Sequence, residues 1–511
     1  MAGIVGVIKR DLDIREKKDP IMVGKMLDIL RHRGPDNTLI RSFSGGAVGC
    51  VELDTSPRST YAFCAAGNCI CLLDGLLYNS RRKNENNVQV LMDLYLEHGE
   101  ACFSYLDGYF ACAIIDEDKL LLARDPLGVR YLVYGTRIEE DNLYFASEAK
   151  ALRDFVPSVE LIPPGHYYSS KDDQVHSFKP YTPEPPDFDP EDEEGIAHLV
   201  KETMLEATHR LMEDQAIGGV ALSGGFDSSV VAGIMAKEFG IKFPQFTATI
   251  KRTPGPDLHF SKLMAEYLQA PHYITEITDE QILRILPKAV WYLESFDQDC
   301  ISGWIANYFT AKLAAKFTNC VFVGETADEI AGGYFGELED FYDQWAEPDQ
   351  RQAVYQKLID IAGDTGLRRL NQGWHAASVE PRTPFPDPKL VALFQKIPMK
   401  YKYNENYEKD KGEVPEKWIL RKALQEYLPP EIAWRKKMRF ARGVGVDLLM
   451  DELAGSKVSQ RQFEAMPYTP VSKIRLNSRK ERYYYDLFIK EGFFPMSFEN
   501  LTVRWDPFYE T

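Results

Sequence analysis

Short apolar runs separated by turn residues fill the first part of the chain, up to about residue 178. Runs of this length that are bounded by Gly, Asn, Asp and Ser are typical of strands. One longer segment, 88–97, repeats its apolar residues at helical spacing and predicts an amphipathic helix. This mixture predicts an α+β domain of layered sheets. The predicted strands are 4–8, 69–73, 109–115, 120–123 and 143–146.

After residue 195 the pattern changes to longer helical stripes and isolated apolar runs. Strand-like runs at 218–222, 246–250 and 320–324 are interspersed with helical segments, among them 228–239. Alternating strands and helices favour a parallel, doubly wound sheet that binds its ligand at the carboxyl ends of the strands. The first helical stripe consists of Ile196, Leu199, Val200, Met204, Ala207 and Leu211.

Residues 179–194 separate these two regions. Their sequence is K-P-Y-T-P-E-P-P-D-F-D-P-E-D-E-E, and a segment so rich in proline and acid forms no regular ladder and repels itself. We interpret it as an extended linker. The predicted organisation is therefore a first domain at 1–178, a linker at 179–194 and a second domain at 195–511.

Composition indicates a large protein of the cytoplasm. Hydrophobic residues make up 44% of the 511 residues, which is enough for sizeable cores. No apolar run of about 18 residues predicts a membrane span, and the first residues do not resemble a signal peptide. The 60 basic and 77 acidic residues give a net charge of −17, which disfavours nucleic acid as a partner. The eight cysteines include no C-x-x-C pair and favour free buried thiols over a zinc site or disulfides.

The most informative segment is 223–229, which reads S-G-G-F-D-S-S between a predicted strand and a predicted helix. Two adjacent glycines allow a sharp turn whose N–H groups approach a polyanion, and the start of the helix adds a positive dipole end. Asp227 fits such a site if a magnesium ion lies between its carboxylate and the phosphates. The alternative is an ordinary Gly-Ser turn that caps a helix. The complete heptad in this context favours a nucleotide, although it lacks the Gly-Lys-Ser/Thr of a Walker A loop.

Further segments occur in a fixed order along the chain. They are R-H-R-G-P-D at 31–36, A-R-D-P-L-G-V-R at 123–130, A-S-E-A-K-A-L at 146–152, P-P-G at 163–165, V-G-E-T-A-D-E at 323–329, R-T-P-F-P-D at 382–387, E-K at 416–417 and W-R-K-K at 434–437. Together with the 223–229 loop, this set resembles the asparagine synthetase family, which includes the β-lactam synthetases. The resemblance implies an Ntn-hydrolase-like α+β sandwich followed by an α/β PP-loop ATP pyrophosphatase domain of the adenine nucleotide α-hydrolase-like type. It also implies that ATP activates a carboxylate as an acyl-adenylate, with AMP and pyrophosphate as products.

The first domain departs from the glutamine-dependent members of this family. Their nucleophilic cysteine follows the initiator Met, and here that position is Ala2. The family's arginine for the glutamine carboxylate corresponds to Glu52, its oxyanion segment begins here with Asp74, and its aspartate for the glutamine amine corresponds to Asn87. A methyl group is no nucleophile, and an acid would repel a developing oxyanion. These four changes predict a naturally inactive glutaminase that remains as a structural partner.

The second domain keeps the residues that the resemblance assigns to catalysis. Asp227 and Asp328 would hold Mg²⁺ on the pyrophosphate. Lys437 would stabilise charge on phosphorus and on the tetrahedral intermediate, and Glu325 would position or deprotonate the amine. The alternatives are a helix N-cap for Asp328 and a solvated basic face for the lysine, which shares its loop with other cations. Those cations are Arg435, Lys436, Arg439 and Arg442.

The resemblance also implies an ATP-binding set in this domain. Two of its members, Leu222 and Ile250, are equally well explained as sheet core. The set consists of Leu222, Ser223, Gly224, Gly225, Asp227, Ser228, Ser229, Ile250 and Gly324.

The segment that would bind the acceptor differs from that of asparagine synthetases. The family's arginine for a small dicarboxylate corresponds to Ser302, and Asp299 is a new acid. We therefore expect Asp299 to meet a cationic amino group of a larger acid rather than aspartate. Clavam-type β-lactam synthetases pair a tyrosine at position 325 with a distant glutamate, whereas this chain has Glu325 with Arg368 and Arg369. That subtype is excluded, while a different lactam-forming arrangement stays open.

The predicted function is an ATP- and Mg²⁺-dependent amide or lactam synthetase. It joins a small amino-acid-like carboxylate to an amine that does not come from glutamine, in natural-product biosynthesis of the β-lactam kind. An ammonia-dependent asparagine synthetase is the alternative, which Glu325 favours and the changed acceptor segment disfavours. A non-catalytic pseudo-synthetase is disfavoured by the retained catalytic residues. The acid, the amine and the intramolecular or intermolecular nature of the bond stay open, as does a homodimer.

Overall fold

A computed structural model gives the structure of the chain over the residue ranges 2–9, 20–55, 61–79, 86–116, 119–137, 141–180, 184–213, 216–335, 348–407, 414–438, 444–493 and 498–504.

Two antiparallel sheets of six strands each form the first half of the chain. Their orders are β10-β8-β9-β1-β3-β2 and β12-β11-β7-β6-β5-β4. The strands are β1 (Ala2–Lys9), β2 (Asn37–Phe43), β3 (Gly46–Glu52), β4 (Phe63–Ala66), β5 (Cys69–Leu77), β6 (Gly108–Asp116), β7 (Lys119–Arg124), β8 (Val133–Arg137), β9 (Asn142–Ala146), β10 (Glu160–Leu161), β11 (His166–Ser169) and β12 (Gln174–Ser177).

The alternation of side chains along each strand explains the layering of this half. Ile4 and Ile8 of β1 pack against Leu72 of β5 in the core between the sheets. Val5 and Val7, which point to the opposite face of β1, belong to a second core outside the sandwich. Both sheets are thus covered on two sides, and the predicted α+β sandwich is confirmed.

Both halves of the chain also contain helices. The predicted helix at 88–97 is found at Asn87–His98. The helices are α1 (Pro20–Leu30), α2 (Asn87–His98), α3 (Glu193–Met212), α4 (Phe226–Lys237), α5 (Asp257–Leu268), α6 (Asp279–Leu293), α7 (Gln298–Ala314), α8 (Ala327–Ala331), α9 (Pro348–Ile361), α10 (Gly366–His375), α11 (Pro388–Lys396), α12 (Met399–Lys402), α13 (Trp418–Leu424), α14 (Pro430–Ala433), α15 (Val446–Lys457), α16 (Gln460–Glu464) and α17 (Arg479–Phe488). Of the helices that the structure describes, none has the length and apolarity needed to cross a membrane.

A parallel sheet of five strands organises the second half, as the alternating pattern predicts. Its order is β15-β14-β13-β16-β17, and every neighbouring pair is parallel. Strand β13 lies in the centre, so the loop after β13 and the loop after β16 open at the same edge. The strands are β13 (Val220–Ala221), β14 (Gln245–Ile250), β15 (His272–Ile277), β16 (Cys320–Phe322) and β17 (Glu380–Arg382).

Two helix boundaries differ from the expected ones. Helix α4 begins at Phe226 because Gly225 takes the N-cap position in an extended conformation. Helix α3 begins at Glu193, inside the predicted linker, where the Asp192 side chain accepts a hydrogen bond from the Gly195 amide at 3.0 Å. Of the linker, residues 181–183 lie outside the described part of the chain.

Candidate active site

The 223–229 loop folds back on itself between β13 and α4. The Ser223 and Ser228 hydroxyl oxygens lie 2.9 Å apart, and the Gly225 amide donates to the Ser223 hydroxyl at 3.2 Å. Gly224 has a φ of +83°, and a Cβ there would lie 2.4 Å from the Ser261 amide nitrogen, so only glycine fits. The turn therefore presents hydroxyl and amide groups at the N-terminus of α4, an arrangement suited to phosphate oxygens.

Two carboxylates meet beside this loop. Asp227 in the first turn of α4 and Asp328 in α8 are bridged by the Lys417 ammonium, which lies 2.6 Å from Asp227 Oδ1 and 2.5 Å from Asp328 Oδ1. The Lys437 ammonium forms a second ion pair with Asp328. A Cβ at Gly333 would lie 2.3 Å from Lys417 Cε, so this glycine allows the lysine to reach the pair. The site therefore joins two acids to two cations.

The charges in this cluster act on its carboxyl groups in opposite directions. Burial by itself would raise the pKa of Asp328, but the ammonium groups of Lys417 and Lys437 outweigh it and hold the pKa well below the usual range. Burial raises the pKa of Asp227, which Lys417 opposes only in part. Asp328 is thus the stronger permanent anion of the two.

The two aspartates have the donors that a magnesium ion requires. Their oxygens approach one cation, the Lys417 ammonium, from two sides. Hard carboxylate oxygens on two neighbouring elements suit Mg²⁺, whose remaining positions are filled by phosphate and water. In the described part of the chain, no group of three or more His, Cys, Asp or Glu residues could hold a metal by itself. The pair therefore fits a metal that arrives with phosphate.

A basic segment covers the phosphate loop. Arg435 donates to the Gly224 carbonyl at 2.9 Å and forms an ion pair with Asp257 in the first turn of α5. Lys437 follows two residues later and reaches Asp328. Arg439 and Arg442, which complete the predicted cluster, lie outside the described residues. The side chains of Arg435 and Lys437 are therefore engaged at the loop.

Glu325 and Arg369 form a further ion pair at the cleft. The Glu325 carboxylate accepts from the Arg369 guanidinium of α10. Nearby, the Tyr334 hydroxyl donates to Glu329 at 3.0 Å. Burial, together with the charges of Asp328 and Glu325, raises the pKa of Glu329 to about 7. Glu329, which is buried beside the cleft, is thus in a different electrostatic environment from Asp328, which lines it.

Asp227, Asp328, Glu325 and their cationic partners line one open cleft, whose space, counted out into open solvent, is about 1360 Å³. Ten of the residues predicted for the synthetase site line it, whereas Gly224, Ser229, Ile250 and Ser302 do not. Ser229, Ile250 and Ser302 are buried and do not reach the surface of the cleft. The predicted residues at the cleft are Leu222, Ser223, Gly225, Asp227, Ser228, Asp299, Gly324, Glu325, Asp328 and Lys437.

The cleft also contains residues to which the sequence alone assigned no role. Lys417, Arg369, Tyr334 and Asp447 all line it. The sequence gives only weak indications of their roles: Lys417 belongs to the E-K segment, and Arg369 differs from the residue of clavam-type enzymes. Their partners lie far away in the sequence, 190 residues from Lys417 to Asp227, and no local pattern connects them.

The four residues predicted to mark an inactive glutaminase lie in a closed region. Ala2 is only 3% exposed, and its amide donates to Asp74 Oδ1 at 3.1 Å. Asp74 is also paired with Arg33 at 2.5 Å. Glu52 accepts from the Ala62 amide at 2.6 Å, and Asn87 faces the Leu77 amide at 3.4 Å. The acids of this region are thus occupied by protein donors.

Known proteins match this chain along nearly its whole length. The asparagine synthase family model matches residues 199–345 and 335–491, and the glutamine amidotransferase domain model matches residues 1–162. A probable glutamine-hydrolyzing asparagine synthetase of Schizosaccharomyces pombe is 30% identical and aligns over 99% of this chain and 96% of its own. A nodule asparagine synthetase of Pisum sativum is 29% identical over 99% and 89%, and asparagine synthetase 1 of Saccharomyces cerevisiae is 26% identical over 99% and 96%.

Proposed function

Because the chain belongs to the asparagine synthetase family of ATP-dependent, C–N bond-forming ligases, we propose that it forms an amide with an amine that glutamine does not supply. One contrast carries the proposal. Asp227, Asp328 and Lys437 meet at the phosphate loop in an open cleft, whereas the position of the glutaminase nucleophile is a buried alanine. The synthetase half therefore keeps its chemistry and the glutaminase half has lost its nucleophile.

In the first proposed step a carboxylate is adenylated. ATP lies with its phosphates on the 223–229 loop and its adenosine near Leu222 and Gly324, which line the cleft. A substrate carboxylate oxygen attacks the α-phosphorus, the bond to the β-phosphate bridge oxygen breaks, and pyrophosphate leaves. Lys437 lies where it can stabilise the added negative charge.

Asp227 and Asp328 would hold magnesium during this step. When bound, the ion neutralises phosphate charge and orients the pyrophosphate. Lys417 contacts both carboxylates in this structure and balances part of their negative charge.

In the second proposed step the amine attacks the acyl carbon. The C–N bond forms, the bond from carbon to the phosphate oxygen breaks, AMP leaves, and the amine loses one proton. Glu325 would accept that proton or position the amine, since its carboxylate lines the cleft. Arg369, its ion-pair partner, would fix the orientation of the carboxylate.

The acceptor is proposed to be larger than aspartate. Ser302 is fully buried and offers no charge for a second carboxylate, while Asp299 lines the cleft. An acid that carries its own amine would cyclise to a lactam, and an acid that meets a separate amine would form a linear amide. Both products fit an enzyme of natural-product biosynthesis.

Ammonia-dependent asparagine synthesis is the second candidate. Glu325 lies in the cleft beside Asp328, and the similar proteins named above are asparagine synthetases. Free ammonia would then replace the glutamine amide as the nitrogen source.

Pyrophosphate release with ATP and magnesium separates these candidates. Aspartate is offered with ammonium, then with glutamine in place of ammonium, and products are identified by mass spectrometry. Asparagine from ammonium alone supports the second candidate. Pyrophosphate only with other amino acids, accompanied by loss of one water, supports the first. If neither Mg-ATP binding nor pyrophosphate release occurs with any acid, the proposed function is wrong.

A further inference from the structure

Two cysteines face each other across the hairpin of β4 and β5. Strand β4 is the outer strand of the second sheet, and a two-residue turn at 67–68 joins it to β5. In the antiparallel register Cys64 lies directly opposite Cys71. Directly opposed residues have their side chains on the same face of a sheet and their Cα atoms about 4.5–5.5 Å apart. This separation lies within the window of about 4.4–6.8 Å in which a disulfide can form.

Both thiols lie beneath helix α2. The Cys64 thiol donates to Gln89 Oε1 at 3.0 Å, and the Cys71 sulfur lies 3.9 Å from Met92 Sδ. Gln89 and Met92 are three residues apart on α2, so their side chains lie on one face of the helix. The strand register and the helix contacts therefore agree that the two thiols share one side of the hairpin.

The two opposed thiols differ in exposure. Cys71 is fully buried, as are Cys102 and Cys112 in the same core, where a cysteine serves as a small apolar side chain. Cys64 is only half-buried and packs at the margin of this core. Core packing accounts for Cys71, but it does not account for a half-buried cysteine directly opposite it. A small oxidant can therefore reach the pair from the side of Cys64.

A third cysteine lies on the same face of the hairpin. Cys69 precedes Cys71 by two residues on β5, so both side chains point to the same side. A hydrogen bond from the Cys71 thiol lowers the pKa of Cys69, whereas burial raises the pKa of Cys64. The thiolate is the form that attacks an oxidant, and a thiol of low pKa is also the one that leaves most readily in disulfide exchange. Cys69 is therefore suited to react first and to be released afterwards.

We propose that Cys64, Cys69 and Cys71 form a thiol site that a peroxide oxidises, with a disulfide between Cys64 and Cys71 as the end product. The Cys69 thiolate attacks hydrogen peroxide, takes up one oxygen as a sulfenic acid, and hydroxide leaves. The Cys71 thiol then attacks the Cys69 sulfur, water leaves, and these two sulfurs are joined. Finally the Cys64 thiolate attacks the Cys71 sulfur and releases the Cys69 thiolate. In total two thiols are oxidised to one disulfide, and one peroxide is reduced to two water molecules.

The geometry of the strands favours this end product. Residues two apart on one strand have Cα atoms about 6.6 Å apart, at the upper limit for a disulfide, whereas the opposed pair lies well inside the window. The bond between Cys64 and Cys71 closes only a short loop and constrains the unfolded chain little. A dithiol reductant should therefore open it again. This inference does not depend on the proposed function of the cleft.

Differential labelling of the full chain can locate the bond. The protein is treated with hydrogen peroxide, catalase removes the excess, and N-ethylmaleimide in guanidinium labels every thiol that is still free. Dithiothreitol then opens disulfides, and iodoacetamide gives the released thiols a second label. Trypsin leaves all three cysteines in the peptide 59–81, in which tandem mass spectrometry assigns the label of each residue.

Three variants accompany the wild type. Cys64→Ser removes the half-buried partner, and Cys71→Ala removes the buried one. Cys112→Ala is the matched control, because Cys112 is buried in the same core but lies opposite Leu73 and Ala123 rather than a cysteine.

After oxidation of the wild type and of Cys112→Ala, Cys64 and Cys71 should carry the second label and Cys69 the first. In Cys64→Ser the second label should move to Cys69 and Cys71, because the intermediate has no thiol to resolve it. In Cys71→Ala, Cys64 should keep the first label. The inference is wrong if Cys64 and Cys71 of the wild type remain free after peroxide, if Cys69 and Cys71 are the final pair there, or if Cys64 still gains the second label in Cys71→Ala.

Discussion

The region around Ala2, which we propose to be the remnant of a glutaminase site, and the synthetase cleft contain similar residues in opposite arrangements. In the remnant, Asp74 is buried against the Arg33 guanidinium and the amide of Ala2. In the cleft, Asp227 and Asp328 are also paired, but their lysines line an open space. A charged cluster can act on a ligand only where its charges can exchange a protein partner for that ligand. In a closed region the same residue types can only stabilise the fold.

A chain of buried charges connects the two regions. Arg33 pairs with Glu148 at 2.9 Å, Glu148 pairs with Lys150, and Lys150 reaches Glu294 at 3.2 Å. Glu294 ends α6 in the left-handed conformation, shortly before Asp299. The first half thus contacts the segment that leads to the acceptor side of the cleft, as a structural partner would.

Replacement of Lys437 should have the largest effect on activity. Lys437→Met removes the cation beside Asp328 and should lower the rate of pyrophosphate release by about 10³-fold. Binding of Mg-ATP should persist, because the 223–229 loop is unchanged. Lys400→Met is the control, since Lys400 pairs with Glu191 away from the cleft. An equal loss in both variants would contradict the assignment.

Loss of a buried charge in the remnant should instead affect stability. Glu148→Gln leaves Lys150 and Arg33 without their shared anion and should lower the free energy of unfolding by about 3 kcal/mol at neutral pH. Asp154→Asn, in an exposed pair with Arg153, should cost less than about 1 kcal/mol. Urea unfolding of the two variants provides the comparison.

The same substitution has a defined pH dependence. Burial would raise the pKa of Glu148, but Lys150, His32 and Arg33 hold it well below the usual range. Its stabilisation is therefore complete above the unfolded pKa of about 4.5 and is lost as the pH falls towards the lowered value. The difference between wild type and Glu148→Gln should shrink below about pH 4.5. A difference that grows in acid would show that the carboxylate is not the stabilising partner.

A smaller effect is expected in the second step of catalysis. Glu325→Gln should slow amide formation by about 10²-fold while leaving ATP–pyrophosphate exchange, which reports adenylation alone, nearly unchanged. Glu405→Gln, in an exposed pair with Arg351, serves as the control. If exchange falls as much as amide formation, Glu325 acts on the first step instead.

Restoring the nucleophile should have no measurable effect. Ala2→Cys places a thiol in a site where Asp74 accepts from the residue 2 amide and Glu52 stands in place of the expected arginine. We expect no glutamate release from glutamine above background. Measurable release would mean that the thiol alone was missing and that the other three changes are tolerated.

The sequence predicts the fold well where one local pattern is sufficient. The alternating and helical spacings lead to the sandwich, the parallel sheet and α2. The sequence pattern does not predict strand β15, H-Y-I-T-E-I. It is an edge strand with several exposed residues and lacks a continuous apolar run. In the cleft, the Ser-Gly loop is locally encoded, whereas Lys417, the N-cap residue of α13, and Asp447 of α15 reach it through tertiary packing.

We propose that one half of this chain has kept its chemistry and that the other has lost it. The most direct test measures pyrophosphate release from ATP and glutamate release from glutamine in the same preparation, across a panel of amino acids with ammonium present. We expect pyrophosphate release with at least one acid and no glutamate above background. Glutamate formed in proportion to pyrophosphate would show instead that the first half is an active glutaminase.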